Sequence, residues 1–413
     1  MSKSSGDLPG RWQWMDAGAL GSHVDEFAVR LSGLAYTRLT VAGYEASARH
    51  FAQWLQLAGI AAGSIDDAVV RRFARHRCRC PGARRHDHIS AKYVNRVRRF
   101  VGFLVEQGAT PPLAPARPAA TDSQVVEFQD WLRRHRGISD RTIGRHGRML
   151  MRLLPALGTD TKAYNAALIR RAVLTEAERA TPAHVKTMTQ ALRGFLRFLA
   201  ANGMTEPCLE QAVPTIPQWR LSALPRYIGV HEIERLIASC DLSAPHGVRD
   251  RAILLLLARL GLRAGDIFTM RLGDIEWEQA TLRVRGKARR EIRLPLPQDA
   301  GDALLAYLER ARPLAACDQV FLRSSAPYRP FSGSSVVSGI VRLALTRAGI
   351  ESAPSKGANL LRHSAATAML RGGATLDMVG TVLRHRSPDT TAHYAKVDIV
   401  ALQNIAQPWP GDA

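Results

Sequence analysis

Six residues in the C-terminal half have the types and the placement that a metal-free phosphodiester exchange requires. Such an exchange needs a nucleophile, an acid for the leaving 5′ oxygen, and cations to hold the charge on the non-bridging oxygens. Arg263 follows Leu260-Gly261-Leu262, directly after a nearly all-apolar stretch that reads as a buried helix over 249–260, so a rigid element places it. Lys287 sits at the tip of a basic hairpin, 286–290, where a flexible ammonium can reach into a groove. Arg362 and His363 open a helix running to Leu370. His385 ends a helix over 376–384, ahead of Ser387-Pro388, a pair suited to starting the next one. Tyr394 lies nine residues beyond His385, on that short following helix. Singly, each has an ordinary reading: a helical tyrosine is usually packing, and an arginine after a glycine is usually an ion-pair partner. The ordered set is what carries information.

The segment that positions these residues mixes element types. A helical pattern covers 230–240, and 275–285 alternates as a strand. A second short strand over 291–296 completes a hairpin whose tip also carries Arg289 and Arg290, basic groups placed to meet DNA. Helices dominate from residue 332 onward. Two proline-rich breaks lie upstream, one at 109–121 and one at about 206–225. They divide the chain into 20–108, 122–205 and 226–413 as its expected domains.

The first two of these look like copies of one helical design. Each has a helix carrying a threonine near its start, at Thr40 and Thr142, and each closes with an aromatic-rich amphipathic helix ending in glycine, Gly108 and Gly203. Phe100 matches Phe195 and Phe103 matches Phe198, positions that read as core. Arg96, Arg98, Arg99, Arg145 and Arg148 are left to face outward, with DNA as the expected partner and a solvated basic face as the alternative.

Composition agrees with such a partner. The 413 residues hold 57 Lys and Arg against 36 Asp and Glu, a formal charge of +21, and an apolar fraction of 46% argues against wholesale disorder. Arginine is well suited to bidentate phosphate contacts, and this balance suits a chain that neutralises a nucleic-acid backbone. Five scattered cysteines do not make a disulfide framework, and neither a secretory leader nor a bilayer-spanning run is expected. A cytoplasmic, nucleoid-associated protein with no cofactor is the expectation.

The ordered set resembles the tyrosine recombinases, the phage-integrase family of DNA strand-exchange enzymes. The resembling stretches are Leu260-Gly-Leu-Arg-Ala-Gly-Asp266, Arg285-Gly-Lys-Ala-Arg-Arg-Glu-Ile-Arg-Leu-Pro295, Leu360-Leu-Arg-His-Ser364 and Leu383-Arg-His-Arg-Ser-Pro-Asp-Thr-Thr-Ala-His-Tyr394, in family order. The resemblance implies a mainly α fold with a small antiparallel β-sheet in the catalytic domain, preceded by two helical, SAM-like DNA-binding domains, of which 122–205 resembles the core-binding domain. It implies that Tyr394 attacks the scissile phosphorus to form a 3′-phosphotyrosyl link. Arg263 and Arg362 would clamp the non-bridging oxygens, Lys287 would protonate the leaving 5′ hydroxyl, and His385 would bind the phosphate or orient the tyrosine. Asp266 would hold the surroundings of Arg263, or serve only as an acidic helix start. The implied assembly is a homotetramer on two double-stranded DNA sites, working for a mobile element, with or without sister recombinases.

One family position departs: where the pattern has His-x-x-Arg, this chain has Asn359-Leu-Leu-Arg362. Asn359 can orient a phosphate but cannot carry a proton, and His363 does not obviously replace it, because adjacent helical residues point about 100° apart. Three readings therefore stand: a site-specific recombinase, an enzyme resembling a type IB topoisomerase, and an accessory DNA-binding subunit. Two further features leave alternatives open. The basic loop 75–88 offers zinc a set drawn from Cys78, Cys80, His86 and His88, with His76 beside them, or else it is a flexible DNA-contacting loop without metal. The tail beyond Val397, with Val400, Leu402 and Ile405, either folds back on its own domain or docks on a neighbouring protomer.

Overall fold

The computed structural model describes residues 15–81, 90–112, 120–217, 224–285, 291–385 and 387–397. Lys287, Arg289, Arg290, His86, His88 and the tail from 398 onward lie outside them. The chain divides into two compact units, one spanning Pro112–Arg220 and the other made of Met1–Pro111 and Leu221–Ala413.

The N-terminal stretch folds as α1 (Gly21–Gly33), α2 (Arg38–Leu57), α3 (Asp67–Arg75) and α4 (Ala91–Glu106). Side chains cap three of these starts: Thr37 accepts from the Thr40 amide at 3.3 Å, Asp66 from Val69 at 2.7 Å and Ser90 from Tyr93 at 3.3 Å. The apolar spacing of α4 drives Phe100 and Phe103 against Phe27, each 5.4 Å from it between ring centroids. Just beyond α4, Gly108 takes a φ of +73°, a conformation that costs a glycine little.

The unit Pro112–Arg220 repeats this plan with α5 (Ala120–Arg136), α6 (Asp140–Leu157), α7 (Ala166–Ala177) and α8 (Pro182–Ala201). Phe195 and Phe198 sit 5.5 and 5.7 Å from Phe128, and Gly203 has a φ of +68°. The matched phenylalanines are therefore core in both places, as their spacing implied.

The expected outward arginines divide. Arg98, Arg145 and Arg148 are exposed. Arg96 and Arg99 are half-buried and turn inward: Arg96 donates to the Gly43 carbonyl at 3.1 Å and lies over Tyr44, and Arg99 donates to the Tyr36 hydroxyl while stacking on the same aromatic pair. The helical pattern set them apart from the core phenylalanines of α4. It did not show that Tyr36 and Tyr44 cover these arginines and attract guanidinium.

The C-terminal stretch is built around α10 (Pro245–Leu260), whose Ile253, Leu254, Leu256 and Leu257 are fully buried. Before it runs α9 (Val230–Ala238); after it come α11 (Ala264–Thr269) and a three-stranded antiparallel sheet, β1 (Ile275–Glu276), β2 (Thr281–Arg285) and β3 (Glu291–Pro295), in that spatial order. Leu282 opposes Leu294 and Val284 opposes Ile292, which places the apolar residues on shared faces. The single strand expected over 275–285 is two strands: the Ala280 amide closes a turn on the Trp277 carbonyl at 3.1 Å, and Ala280 adopts a φ of +48°. The alternation continued across that turn and hid it. Helices α12 (Gln298–Arg310), α13 (Ser334–Arg347), α14 (Ala358–Arg371), α15 (Leu376–Val382) and α16 (Pro388–Ala392) follow, ending in a 3₁₀ turn, His393–Val397. Among the described residues no helix is long and apolar enough to cross a membrane.

Candidate active site

Two left-handed turns and one helix bring the C-terminal constellation together. Gly261, at a φ of +58°, ends α10 and hands the chain to Arg263, the residue before α11. A Cβ at position 261 would stand 2.6 Å from Leu383, so glycine here permits both the turn and the close approach. Arg362 lies in the second turn of α14. Arg384 follows α15 at a φ of +56°, a left-handed conformation uncommon for arginine, and it aims Leu383, Arg384 and His385 at the other two.

Backbone carbonyls and one carboxylate then gather three guanidinium groups. Arg263 donates through Nη2 to the carbonyls of Leu383 and Arg384, at 3.2 and 3.0 Å. Arg362, only 6% exposed, donates to the Gly261 carbonyl and to the same Leu383 carbonyl. Arg384 donates to Asp266, whose Oδ2 also accepts from the Arg263 amide at 2.8 Å. Asp266 thus both starts α11 and pairs with Arg384; the guanidinium of Arg263 is not its partner. Three arginines around one carboxylate leave, among the described residues, about two positive charges without a counter-ion in a largely buried place, an unfavourable arrangement until an anion arrives. Burial and the neighbouring Arg263 and Arg384 pull the Arg362 pKa down to about 10, and Arg263 is lowered by burial and Arg384. Nε and Nη1 of Arg384 are buried with no hydrogen-bond partner among the described residues.

Tyr394 lies in the 3₁₀ turn after α16, 2% exposed, packed with Ala366, Leu370, Val379, Leu383 and Val397. Its hydroxyl is 2.7 Å from Nδ1 of His363. The His385 ring lies parallel to the tyrosine ring at 6.2 Å, held there by a 2.8 Å bond between its Nδ1 and Oγ1 of the buried Thr391. Burial raises the Tyr394 pKa, and the positive Arg362 works against that rise. Burial first, then His393, Arg362 and Arg226, lowers His363; burial with Arg362 and Arg263 takes His385 down to about 4. Both rings are therefore neutral at physiological pH, and a neutral imidazole can accept a proton from a phenol.

Of the residues singled out in the sequence, Arg263, Arg362, His385 and Tyr394 converge. Asn359, in the first turn of α14, is exposed to solvent. His363, which helical spacing had seemed to turn away, is the histidine in contact with the tyrosine hydroxyl. The reason is that Tyr394 approaches α14 from the side on which His363 projects. Arg384 and Thr391 were not singled out; both lie within the last motif, and only the left-handed turn at Arg384 reveals their use.

The second cluster lies in the N-terminal stretch. Cys78 and Cys80 are brought together with His76, as the sequence suggested, and also with His50 of α2. These two cysteines are buried rather than displayed on an open loop.

Residues 226–399 match the phage integrase family. Along the whole chain, 403 residues are 37% identical to a Sinorhizobium fredii protein named as an integrase/recombinase, y4rA, covering 96% of each chain. The fold is similar to that of the XerH site-specific recombinase in a post-cleavage complex with a palindromic difH substrate, at a TM-score of 0.56 and 19% identity over 69% of this chain and 85% of that one. It is also similar to a lambda integrase tetramer bound to a Holliday junction, at a TM-score of 0.51 and 15% identity over 75% of this chain and 88% of that one.

Proposed function

The chain belongs to the phage integrase family of tyrosine recombinases, and we propose that it cleaves and rejoins specific DNA sites through a 3′-phosphotyrosyl link to Tyr394. The observation that carries this reading is the uncompensated trio Arg263, Arg362 and Arg384 set beside a buried tyrosine hydroxyl. A scissile phosphate supplies the missing negative charge, and the charge that builds on its non-bridging oxygens in the transition state strengthens the same contacts. Neutral His363 takes the phenolic proton through Nδ1 as the tyrosine oxygen attacks phosphorus. The bond to the 5′ oxygen breaks, and that oxygen leaves as a hydroxyl after protonation, the part we assign to Lys287. Because the phosphotyrosyl ester retains the bond energy of the phosphodiester, the free 5′ hydroxyl of a second strand reverses the step without ATP.

His363 also answers the departure at Asn359. The proton acceptor sits one residue beyond the second arginine, so an asparagine three residues before it can be limited to orienting phosphate. The three-domain division 20–108, 122–205 and 226–413, a homotetramer on two duplexes and service to a mobile element belong to the same proposal. The likeness to a lambda integrase tetramer on a Holliday junction supports the assembly. The +21 charge and the exposed Arg98, Arg145 and Arg148 support a DNA-gripping role for the helical segments.

A duplex carrying a nick next to the cleavage point tests the proposal, because the short 5′-hydroxyl strand diffuses away and traps the adduct. We expect a covalent protein–DNA band with the native chain and none with Tyr394→Phe, with DNA binding retained. An adduct of equal yield from Tyr394→Phe would exclude this nucleophile. Joint products between two sites, rather than relaxed plasmid alone, are expected of a recombinase.

A further inference from the structure

We propose that His50, His76, Cys78 and Cys80 form a structural zinc site in the N-terminal stretch. Their four donor atoms lie within 4.8 Å of one another. Tetrahedral zinc with bonds of about 2.3 Å to sulfur and 2.0–2.1 Å to nitrogen holds its ligand atoms roughly 3.3–3.8 Å apart, so the quartet needs to close by only about 1 Å on its longest edge. Nε2 of His50 is already 3.3 Å from the Cys78 sulfur, and Nε2 of His76 is 3.9 Å from that of Cys80.

The backbone explains how three ligands come from five residues. Past α3 the chain is extended, His76 having a φ of −70° and a ψ of 141°, and in an extended chain alternate side chains share a face. His76, Cys78 and Cys80 take the inner face; Arg75, Arg77 and Arg79 are exposed on the outer one. His50 reaches the inner face from α2. Sequence spacing had nominated His86 and His88 as partners for the cysteines, and a ligand 26 residues before His76 is not something a local motif displays.

The outer contacts of both imidazoles suit metal ligation. Nδ1 of His76 lies 2.5 Å from the Phe73 carbonyl, which can only accept, so Nδ1 carries the hydrogen and the neutral ring keeps its lone pair on Nε2, toward the cysteines. Nδ1 of His50 lies 2.9 Å from the Tyr93 hydroxyl, again leaving Nε2 for the cluster. A ligating histidine characteristically fixes its other nitrogen in this way. Phe73 stacks on His76 at 4.8 Å and Trp54 lies 5.7 Å from it, an aromatic cover over a closed set of four ligands, which fits a structural rather than a catalytic metal. Binding releases the two thiol protons, and two thiolates with one divalent cation leave the buried centre neutral. The metal would pin the extended 76–80 stretch to α2 and hold Arg75, Arg77 and Arg79 in a fixed outward row.

Elemental analysis of the full chain, purified without chelator or added metal, is expected to find about one zinc per chain. Cys78→Ser, Cys80→Ser and His50→Ala are each expected to lose it. Cys208→Ser, at an exposed cysteine, and His86→Ala with His88→Ala are expected to keep it. As a readout independent of how those variants fold, the native chain is also stripped and refilled with cobalt(II). A tetrahedral cobalt spectrum with thiolate-to-metal charge transfer is the expected result. A chain that purifies without metal and gives only the pale spectrum of hydrated cobalt would overturn the proposal, as would full zinc retention in His50→Ala.

Discussion

The two histidine clusters of this chain are built from similar parts and suit opposite tasks. Around Tyr394, His363 and His385 stand among guanidinium groups, with the Asp266 carboxylate paired to one of them. Around Cys78, His50 and His76 face two thiols, and the neighbouring arginines point away. The first site has surplus positive charge and repels a cation; it suits an anion whose charge grows during reaction. The second has soft donors, with Arg75, Arg77 and Arg79 turned outward, so it suits a metal that forms bonds and then stays. An imidazole carries no function by itself; the charge of its neighbours and the hydrogen bond on its other nitrogen decide what it does.

That contrast can be broken most forcefully at the arginines. Arg362→Ala is expected to slow single-turnover cleavage of the nicked duplex by roughly 10²–10³-fold, the usual effect of losing one transition-state charge contact. Zinc content should not change. His363→Ala comes next, at about 10²-fold or more in the same assay with DNA affinity unchanged, as expected of a proton acceptor. A loss of affinity in place of rate would make His363 a packing residue.

The pH profile sharpens the same point. The lowered pKa of His363 keeps it neutral below the ordinary histidine range, so cleavage should hold as pH falls through about 6.5 and decline only at lower pH. His385 contributes with the same sign to stability. Its folded pKa of about 4 lies below the unfolded value of about 6.5, so the unfolded chain binds the proton more readily. Stability is then fully present above that upper value and lost as pH falls toward the lower one, which thermal melts across the interval will read.

Smaller effects are expected away from the chemistry. Chelation should make the N-terminal stretch more sensitive to protease, while adduct formation by chains already bound to DNA stays the same. Loss of that adduct on chelation would mean that the two clusters are not independent. Arg145→Ala should weaken binding about equally on all sequences and lower the salt slope by about one, measured by anisotropy at several salt concentrations.

Much of the Tyr394 site was legible in the sequence because its members sit in short motifs attached to rigid helices. Arg263 follows the buried α10, and Ser387 starts α16 with a hydrogen bond to the Asp389 amide at 3.3 Å, as the Ser-Pro pair implied. The part that escaped is long-range or conformational. Arg384 in a left-handed turn leaves no trace in composition, and the contact of His363 with the hydroxyl depends on how the last turn returns to α14. His50 could not be joined to Cys78 by spacing, because α2 and the extended stretch meet only in the folded chain. Arg96 and Arg99 were misread for a related reason: periodicity shows which side a residue takes, and says nothing of the tyrosines that cover it.

The most direct test of the central claim is to identify the residue that carries the DNA. The adduct trapped on a nicked duplex is digested with nuclease and trypsin, and the modified peptide is sequenced by mass spectrometry. Cleavage after Arg386 and Lys396 isolates the peptide 387–396, whose one tyrosine is Tyr394. The account requires the residual nucleotide on that tyrosine, linked through its 3′ phosphate. A nucleotide on any other residue, or a 5′ linkage, would contradict it.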